Sequence, residues 1–277
     1  MVKLSKAVAP LIHEVKVVDE QGREKLIHVP GERPLTIYLD KKELVTLMTL
    51  GGAPEALILG YLRNQRLVPS IDYIESIQVD WDTESAAVTT KGNTVDIEKK
   101  TSRRVVTTGC GQGTIFGGIM DDIDSIQLPN KAEITKPAIY EIVDHIRTKS
   151  SIYKQAGSVH ACAVFKNNGQ SVKLLHFIED VGRHNAVDSI AGLMWLDQQT
   201  GEDLIFYTTG RLTSEMVIKG AQMGIPFLLS RSGVTAMGLE MANKVNMTLF
   251  GRCSGQHYLI YSGVNRVNAK DVNVHTA

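Results

Sequence analysis

Roughly the first hundred residues alternate short apolar runs with polar turn signals, a pattern of β-structure. Leu11–Val18 and Lys25–Val29 flank the turn-like segment Asp19-Glu20-Gln21-Gly22 and predict a hairpin. Leu35–Leu39 and Leu44–Leu50 flank Asp40-Lys41-Lys42 and predict a second. Pro54 opens a short helix, where its missing N–H costs little, and Ala56, Leu57, Leu59, Gly60 and Leu62 give that helix an apolar face. Ile74–Val79 and Ala86–Thr90 are further strands by the same criterion. The stretch from 107 to about 130 breaks the pattern: Gly109, Gly111, Gly113, Gly117 and Gly118 crowd together before Asp121, Asp122 and Asp124. A loop of that length inside a compact protein is usually functional, and the domain linkage is placed there.

From Thr135 onward helical and strand periods alternate. Thr135 is a predicted N-cap with Pro137 in the first turn, followed by Ile139, Ile142, Val143 and Ile146 at helical spacing. Strands at Val159–Phe165 and Val172–Ile178 lead to a helix carrying Ala186, Val187, Ile190 and Met194 on one face. Strand Leu204–Tyr207 precedes helix Ser214–Met223, and strand Pro226–Leu229 precedes helix Thr235–Lys244. Strands Met247–Phe250 and Tyr258–Tyr261 close the series, and residues 262–277 form a polar tail. Such alternation predicts an α/β fold with a largely parallel sheet covered on both faces. The expected organisation is an N-terminal β-rich domain over 1–125 and an α/β domain over 126–277.

Composition narrows the function classes. The chain has 277 residues, 43% of them hydrophobic, enough for a sizeable core. Thirty basic residues balance thirty acidic ones, so there is no global electrostatic footprint for nucleic acid, although local basic clusters still suit a phosphate ligand. No run approaches the roughly 18 apolar residues of a membrane span, and Met1-Val2-Lys3-Leu4-Ser5-Lys6 has no signal-peptide character. Cys110, Cys162 and Cys253 are odd in number and far apart, which argues against a disulfide framework and for a cytoplasmic setting.

Four predicted strands are each followed closely by an arginine among small polar residues. After Ile178 comes Glu179-Asp180-Val181-Gly182-Arg183-His184-Asn185; after Tyr207, Thr208-Thr209-Gly210-Arg211. After Leu229 comes Ser230-Arg231-Ser232-Gly233, and after Phe250, Gly251-Arg252-Cys253-Ser254-Gly255. Ligands of open α/β sheets bind outside the carboxyl ends of the strands, so parallel strands would gather all four segments on one rim. Guanidinium groups grip phosphate oxygens bidentately. Helix N-termini after Thr213, where Ser214 joins the expected contacts, and after Val234 add anion affinity. Asp180 is a candidate acceptor for a guanine edge or ribose, and His184 a candidate ligand contact beside Arg183. The ligand this rim predicts is a phosphorylated nucleotide or dinucleotide. Neither G-x-G-x-x-G nor a Gly-Lys-Ser/Thr phosphate loop is present.

Cys110, in Thr107-Thr108-Gly109-Cys110-Gly111-Gln112-Gly113, is the candidate nucleophile. Flanking glycines uncover its thiol, and Arg103 and Arg104 upstream would favour the thiolate. Cys162 reads as a core residue, and Cys253 as part of the rim rather than a nucleophile. His160 reads equally as a structural histidine or a ligand contact. Zinc nucleobase deaminases use H-x-E with P-C-x-x-C; here position 162 is Cys and no P-C-x-x-C occurs, so no zinc or other metal site is expected.

Together these segments resemble one family. Arg33-Pro34-Leu35-Thr36 and Leu59-Gly60-Tyr61-Leu62 match its N-terminal signatures; Ser158-Val159-His160-Ala161-Cys162-Ala163, the run Glu179–Asp188, the run Thr209–Val217 and Gly224-Ile225-Pro226 match its C-terminal ones. The chain is similar, over about residues 11–261, to the formate dehydrogenase accessory sulfurtransferases, FdhD/NarQ. The resemblance implies a cytidine-deaminase-like α/β/α domain without zinc, an N-terminal β-rich domain, and a homodimer. It implies a sulfur carrier that takes sulfur from a cysteine desulfurase and delivers it to the molybdenum bis(molybdopterin guanine dinucleotide) of the formate dehydrogenase catalytic subunit, with GDP as a partial mimic. Its alternative is a cofactor escort that transfers no sulfur. The family's persulfide cysteine, first of a C-G-x-C pair, corresponds to Cys110, and its C-terminal cofactor segment to Arg252, Cys253, Ser254, Gly255, Gln256 and His257. The second cysteine of the pair is absent, since Cys110-Gly111-Gln112-Gly113 ends in glycine. No disulfide can close there; single-cysteine persulfide chemistry remains.

Overall fold

The computed structural model describes residues 2–92, 105–106, 113–114, 123, 126–149 and 151–268. The chain divides into two compact units, both discontinuous in sequence: Met1–Ile115, Ser150–Ala161 and Ile178–Asp197 form the first, and Phe116–Lys149, Cys162–Phe177 and Gln198–Ala277 the second.

The first unit contains strands β1 (Lys3–Leu4), β2 (Ile12–Val18), β3 (Glu24–Pro30), β4 (Arg33–Leu39) and β5 (Lys42–Thr49). Helix α1 (Pro54–Asn64), a 3-10 turn at Ile71–Tyr73, and strands β6 (Ile74–Asp80) and β7 (Ser85–Thr90) follow. The short antiparallel pair β8 (Val105–Val106) and β9 (Gly113–Thr114) comes next. Five strands form one sheet in the order β1-β6-β7-β4-β5, while β2 and β3 stand apart as a two-stranded hairpin. Alternation along β4 puts Leu35, Ile37 and Leu39 on one face, where they join Leu47, Ile77 and Val88 in a core closed by α1. Pro54 occupies the first turn of α1 as expected, but the helix is buried almost all round rather than on one face.

The second unit begins with helix α2 (Lys136–Thr148), capped by Thr135, whose hydroxyl accepts from Ala138 N at 3.4 Å. After α3 (Ile152–Ala156), which belongs to the first unit, the chain runs through β10 (His160–Asn167) and β11 (Val172–Asp180). Helix α4 (Arg183–Leu196) is again part of the first unit. Strand β12 (Leu204–Thr208), helix α5 (Ser214–Gln222), strand β13 (Phe227–Ser230), helix α6 (Ala236–Lys244) and strands β14 (Thr248–Ser254) and β15 (His257–Ser262) complete the second unit. Ile139 and Ile142 of α2 pack with Phe165, Ile205, Phe227, Leu229 and Phe250 in its core.

The sheet order is β11-β10-β12-β13-β14-β15. The expectation of a largely parallel sheet needs correction. Only β12–β13–β14 are shown running parallel; β10 pairs antiparallel with β12, and β15 antiparallel with β14. The cause lies in the connections. Helices α5 and α6 supply the crossovers that parallel neighbours require, whereas β14 and β15 are joined by the two-residue turn Gly255-Gln256. Among the described residues no helix is long and apolar enough to cross a membrane.

Candidate functional site

Parallel pairing puts the carboxyl ends of β12, β13 and β14 at one edge of the second unit. Thr208 lies beside Ser230, and Leu229 beside Phe250. Beyond the strands the three loops stay hydrogen-bonded into a continuous ledge. Arg231 N donates to Thr208 O at 3.2 Å, Leu212 N to Gly233 O at 3.0 Å, and Arg252 N to Ser232 O at 2.8 Å. Leu212 and Val234 form a further parallel bridge. Arg211, Arg231 and Arg252, one from each segment, are all exposed along this ledge. Two short polar side chains shape it. Thr208 Oγ1 accepts from Gly210 N at 3.0 Å; Ser230 Oγ accepts from Ser232 N at 2.9 Å and donates to Gly210 O at 2.6 Å. The sequence reading missed both, although a hydroxyl two residues before the turning amide is a recognisable local turn signal.

The same ledge leads into two helix N-termini. Thr235 caps α6 conventionally, accepting from Gly238 N at 3.2 Å. Thr213 stands at the N-cap of α5 without making the side-chain cap bond, and its hydroxyl is buried with no hydrogen-bond partner among the described residues. An orphaned hydroxyl beside the unpaired N–H groups of a helix start is a polar position that an incoming acceptor can satisfy. Ser214 is the first residue of α5. Glu215 in that first turn would oppose an anion, but Lys219 stands 3.7 Å from it and both are buried.

The C-terminal segment 252–257 builds the outer end of the ledge. The β14–β15 ladder slips between Gly251 and Ser254, and Arg252 sits in that irregularity with φ +56°, a conformation a non-glycine residue adopts only when its surroundings enforce it. Arg252, Ser254, Gly255, Gln256 and His257 are exposed. Cys253 points the other way, 1% exposed in the core, where burial pushes its thiol up to about 12. It therefore offers a ligand only its backbone. Cys162 is buried too, with Sγ 3.5 Å from Thr208 Oγ1.

The residues expected on the rim from the second strand end belong to the first unit. Asp180 is 3% exposed, and its carboxylate takes four donors: Thr49 Oγ1 at 2.5 Å, Leu50 N at 3.1 Å, Gly182 N at 3.0 Å and Asn185 Nδ2 at 2.9 Å. Those four bonds occupy the acceptor positions of a carboxylate in this structure. Desolvation raises its pKa and outweighs the opposing pull of these bonds. Arg183 and His184 open α4 and are buried in the first unit; His160 opens β10 there and is half-buried. Cys110, with Arg103 and Arg104, lies outside the described residues. Among the described residues no group of three or more His, Cys, Asp or Glu side chains is arranged to hold a metal ion.

Residues 30–268 match the model of the FdhD/NarQ family. A protein of Listeria monocytogenes serotype 4b (strain F2365) named sulfur carrier protein FdhD is 29% identical over 241 residues, covering 86% of this chain and 91% of the relative. One of the same name from Wolinella succinogenes is 26% identical over 267 residues, covering 96% and 90%. The crystal structure of a formate dehydrogenase accessory protein from Desulfotalea psychrophila superposes with a TM-score of 0.73 at 26% identity, over 93% of this chain and 100% of that one. By the length of that family match, the chain belongs to the FdhD/NarQ family.

Proposed function

We propose that this chain is a sulfur carrier that loads sulfur on Cys110 and binds the guanine-dinucleotide form of the molybdenum cofactor as cargo on the ledge of its second unit. The supporting observation is the ledge itself: three exposed arginines, backbone N–H groups and two helix N-termini gathered by one set of parallel strands. That is an anion-binding arrangement, and a dinucleotide supplies the anion. Arg211, Ser214, Arg231, Arg252, Ser254, Gln256 and His257 are the contacts this reading uses. Arg183, His184 and His160 are left out of it, as is Asp180. On this reading the second unit is a cytidine-deaminase-like domain that has no zinc.

The sulfur donor is a cysteine desulfurase carrying a persulfide. The Cys110 thiolate attacks the terminal sulfur, the donor's S–S bond breaks, and the donor cysteine leaves as thiolate while Cys110 keeps the persulfide. The recipient is the cofactor of the formate dehydrogenase catalytic subunit, and the carrier works as a homodimer in the cytoplasm. Mass spectrometry after incubation with a desulfurase and cysteine is expected to place added sulfur on Cys110. Loading that persists unchanged in Cys110→Ala refutes the carrier step.

A second reading has its own observation, the glycine at position 113 where the family has the second cysteine of its pair. On that reading the chain escorts the cofactor without carrying sulfur. It predicts that Cys110→Ala still restores formate dehydrogenase activity in cells lacking this chain, whereas the carrier reading predicts failure with folding and GDP binding intact.

A further inference from the structure

The β14–β15 ladder slips at a second place besides Arg252. Phe250 pairs with Ile260 and Leu249 with Ser262, so Tyr261 is the extra residue of a bulge on β15. Bulges of this kind re-aim a side chain. Here the Tyr261 ring comes to rest where a side chain at position 251 would stand: a Cβ on Gly251 would lie 2.7 Å from Tyr261 Cε2 and 3.4 Å from Cδ2. The same point is 3.3 Å from Ser232 O, the carbonyl that accepts from Arg252 N and ties the ledge together. Leu259 is directly opposite Gly251, so its side chain shares that face with the Tyr261 ring. Phe250, one residue before Gly251, points the other way into the core, with Tyr258 and Ile260 packed beside it. Leu259 is 42% exposed and Tyr261 half-buried. An apolar strip therefore runs along β15 beside the strand that carries Arg252, about 5 Å across the ladder.

Guanidinium groups and helix N-termini read negative charge and leave a base unread. From the strip we infer that Tyr261 is the base-stacking residue of the ledge: the guanine ring of the cargo lies on the Tyr261 ring with Leu259 along its edge, while the diphosphate stays with Arg252 and its neighbours. The inference rests on the ledge reading given under Proposed function and adds the residue that makes the ledge take a nucleotide in preference to a bare phosphate. The local chemistry selects a flat heterocycle. Tyrosine offers a π-face to any base, and Leu259 adds apolar surface without a charge to be desolvated. Gly251 has no side chain to hold the ring off the backbone, which keeps Tyr261 beside the Arg252 segment. An apolar strip flanking a guanidinium fits a ligand that is planar at one end and anionic at the other. Tyr261 is thus a specificity-determining contact, and the sulfur step at Cys110 does not involve it.

Calorimetric titration of the full chain with GDP and with inorganic pyrophosphate tests it. Tyr261→Leu is expected to raise the GDP dissociation constant at least about fivefold, the size of a base–aromatic stack, and to leave that of pyrophosphate within about twofold. Tyr261→Phe keeps both constants, because stacking uses the ring and not the hydroxyl. A purely structural role for Tyr261 would move pyrophosphate as well. Photolabelling with 8-azido-GDP gives a second measurement on the unmutated chain, independent of whether Tyr261→Leu folds: label displaced by GDP is expected within residues 257–262, identified by mass spectrometry. Tyr261→Leu that leaves GDP binding unchanged, Tyr261→Leu that weakens both ligands alike, or label confined to other segments overturns the inference. The ledge reading survives those results as long as Arg211→Ala combined with Arg252→Ala still weakens both ligands. A wild type that binds neither ligand overturns the ledge reading and the stacking role together.

Discussion

Burial at Cys253 and Tyr207 ties the stability of the second unit to alkaline pH. Desolvation pushes the thiol up to about 12 and the phenol up to about 12, the latter against a smaller downward pull from the Arg231 charge. Both groups keep their protons in the fold past the pH at which an unfolded chain releases them, about 8.5 for a thiol and about 10 for a phenol. Unfolding thus releases protons in that range, and stability falls as pH rises from about 9 toward 12. Urea titrations between those values are expected to show the fall, with a shallower slope in Tyr207→Phe and in Cys253→Ala. Unchanged slopes in both would show that other groups dominate. Arg211 and Arg252 on the ledge are separate from this effect, whereas Arg231 takes part in it. Arg211→Ala and Arg252→Ala are each expected to weaken GDP binding about tenfold or more, as a charge-assisted phosphate bond is worth roughly 1.5–3 kcal/mol. Unchanged calorimetric titrations for both would place the nucleotide elsewhere.

Two helices of the first unit meet through glycine. A Cβ on Gly60 of α1 would lie 1.6 Å from Asp188 O, and one on Gly192 of α4 would lie 1.9 Å from Ala56 O, so neither position admits a methyl group without moving a backbone. Arg63 Nη1 donates to Ala191 O and Asn64 Nδ2 to Asp188 Oδ1 at the same junction. Gly60→Ala and Gly192→Ala are each expected to destabilise the protein by about 1–3 kcal/mol despite alanine's better helix propensity, seen as a fall in Tm of several degrees. This junction marks where the sequence stops being readable. The hairpins, Pro54, the Thr135 cap and the strand–helix alternation are local signals, and the observed elements fall within a few residues of them. Helix α4 also fell near its expected place. Its burial of Arg183, His184, Asn185, Asp188 and Ser189 did not show, because Asn64, Thr49 and the Met48 carbonyl that accepts from Asn185 lie more than a hundred positions away in sequence. The Thr49 and Leu50 donors to Asp180 were hidden for the same reason. Helix α3 has five residues, too few for a period to register. The direction of β10 was equally hidden, since apolar periodicity carries no sign.

On the proposed function, sulfur acceptance and nucleotide binding would use different chemistry at different chain positions, so the whole molecule should lose them separately. A thiolate nucleophile at position 110 needs a sulfur donor and no phosphate contact. The ledge needs guanidinium and N–H donors and no thiol, because the cysteine within it, Cys253, is sealed in the core. Cys110→Ala is therefore expected to abolish persulfide loading and leave the GDP dissociation constant within about twofold, less than a single hydrogen bond is worth. Arg211→Ala combined with Arg252→Ala is expected to do the reverse. Alkylation adds an independent check: at pH 8 the folded chain should take label at Cys110 and not at Cys162 or Cys253, both buried, while unfolding in urea exposes all three. If either set of variants removes both activities while leaving the urea midpoint unchanged, loading and binding are one coupled event. The cargo would then have to be seated before sulfur is accepted, an order that single-turnover loading with and without GDP would reveal as a change in rate.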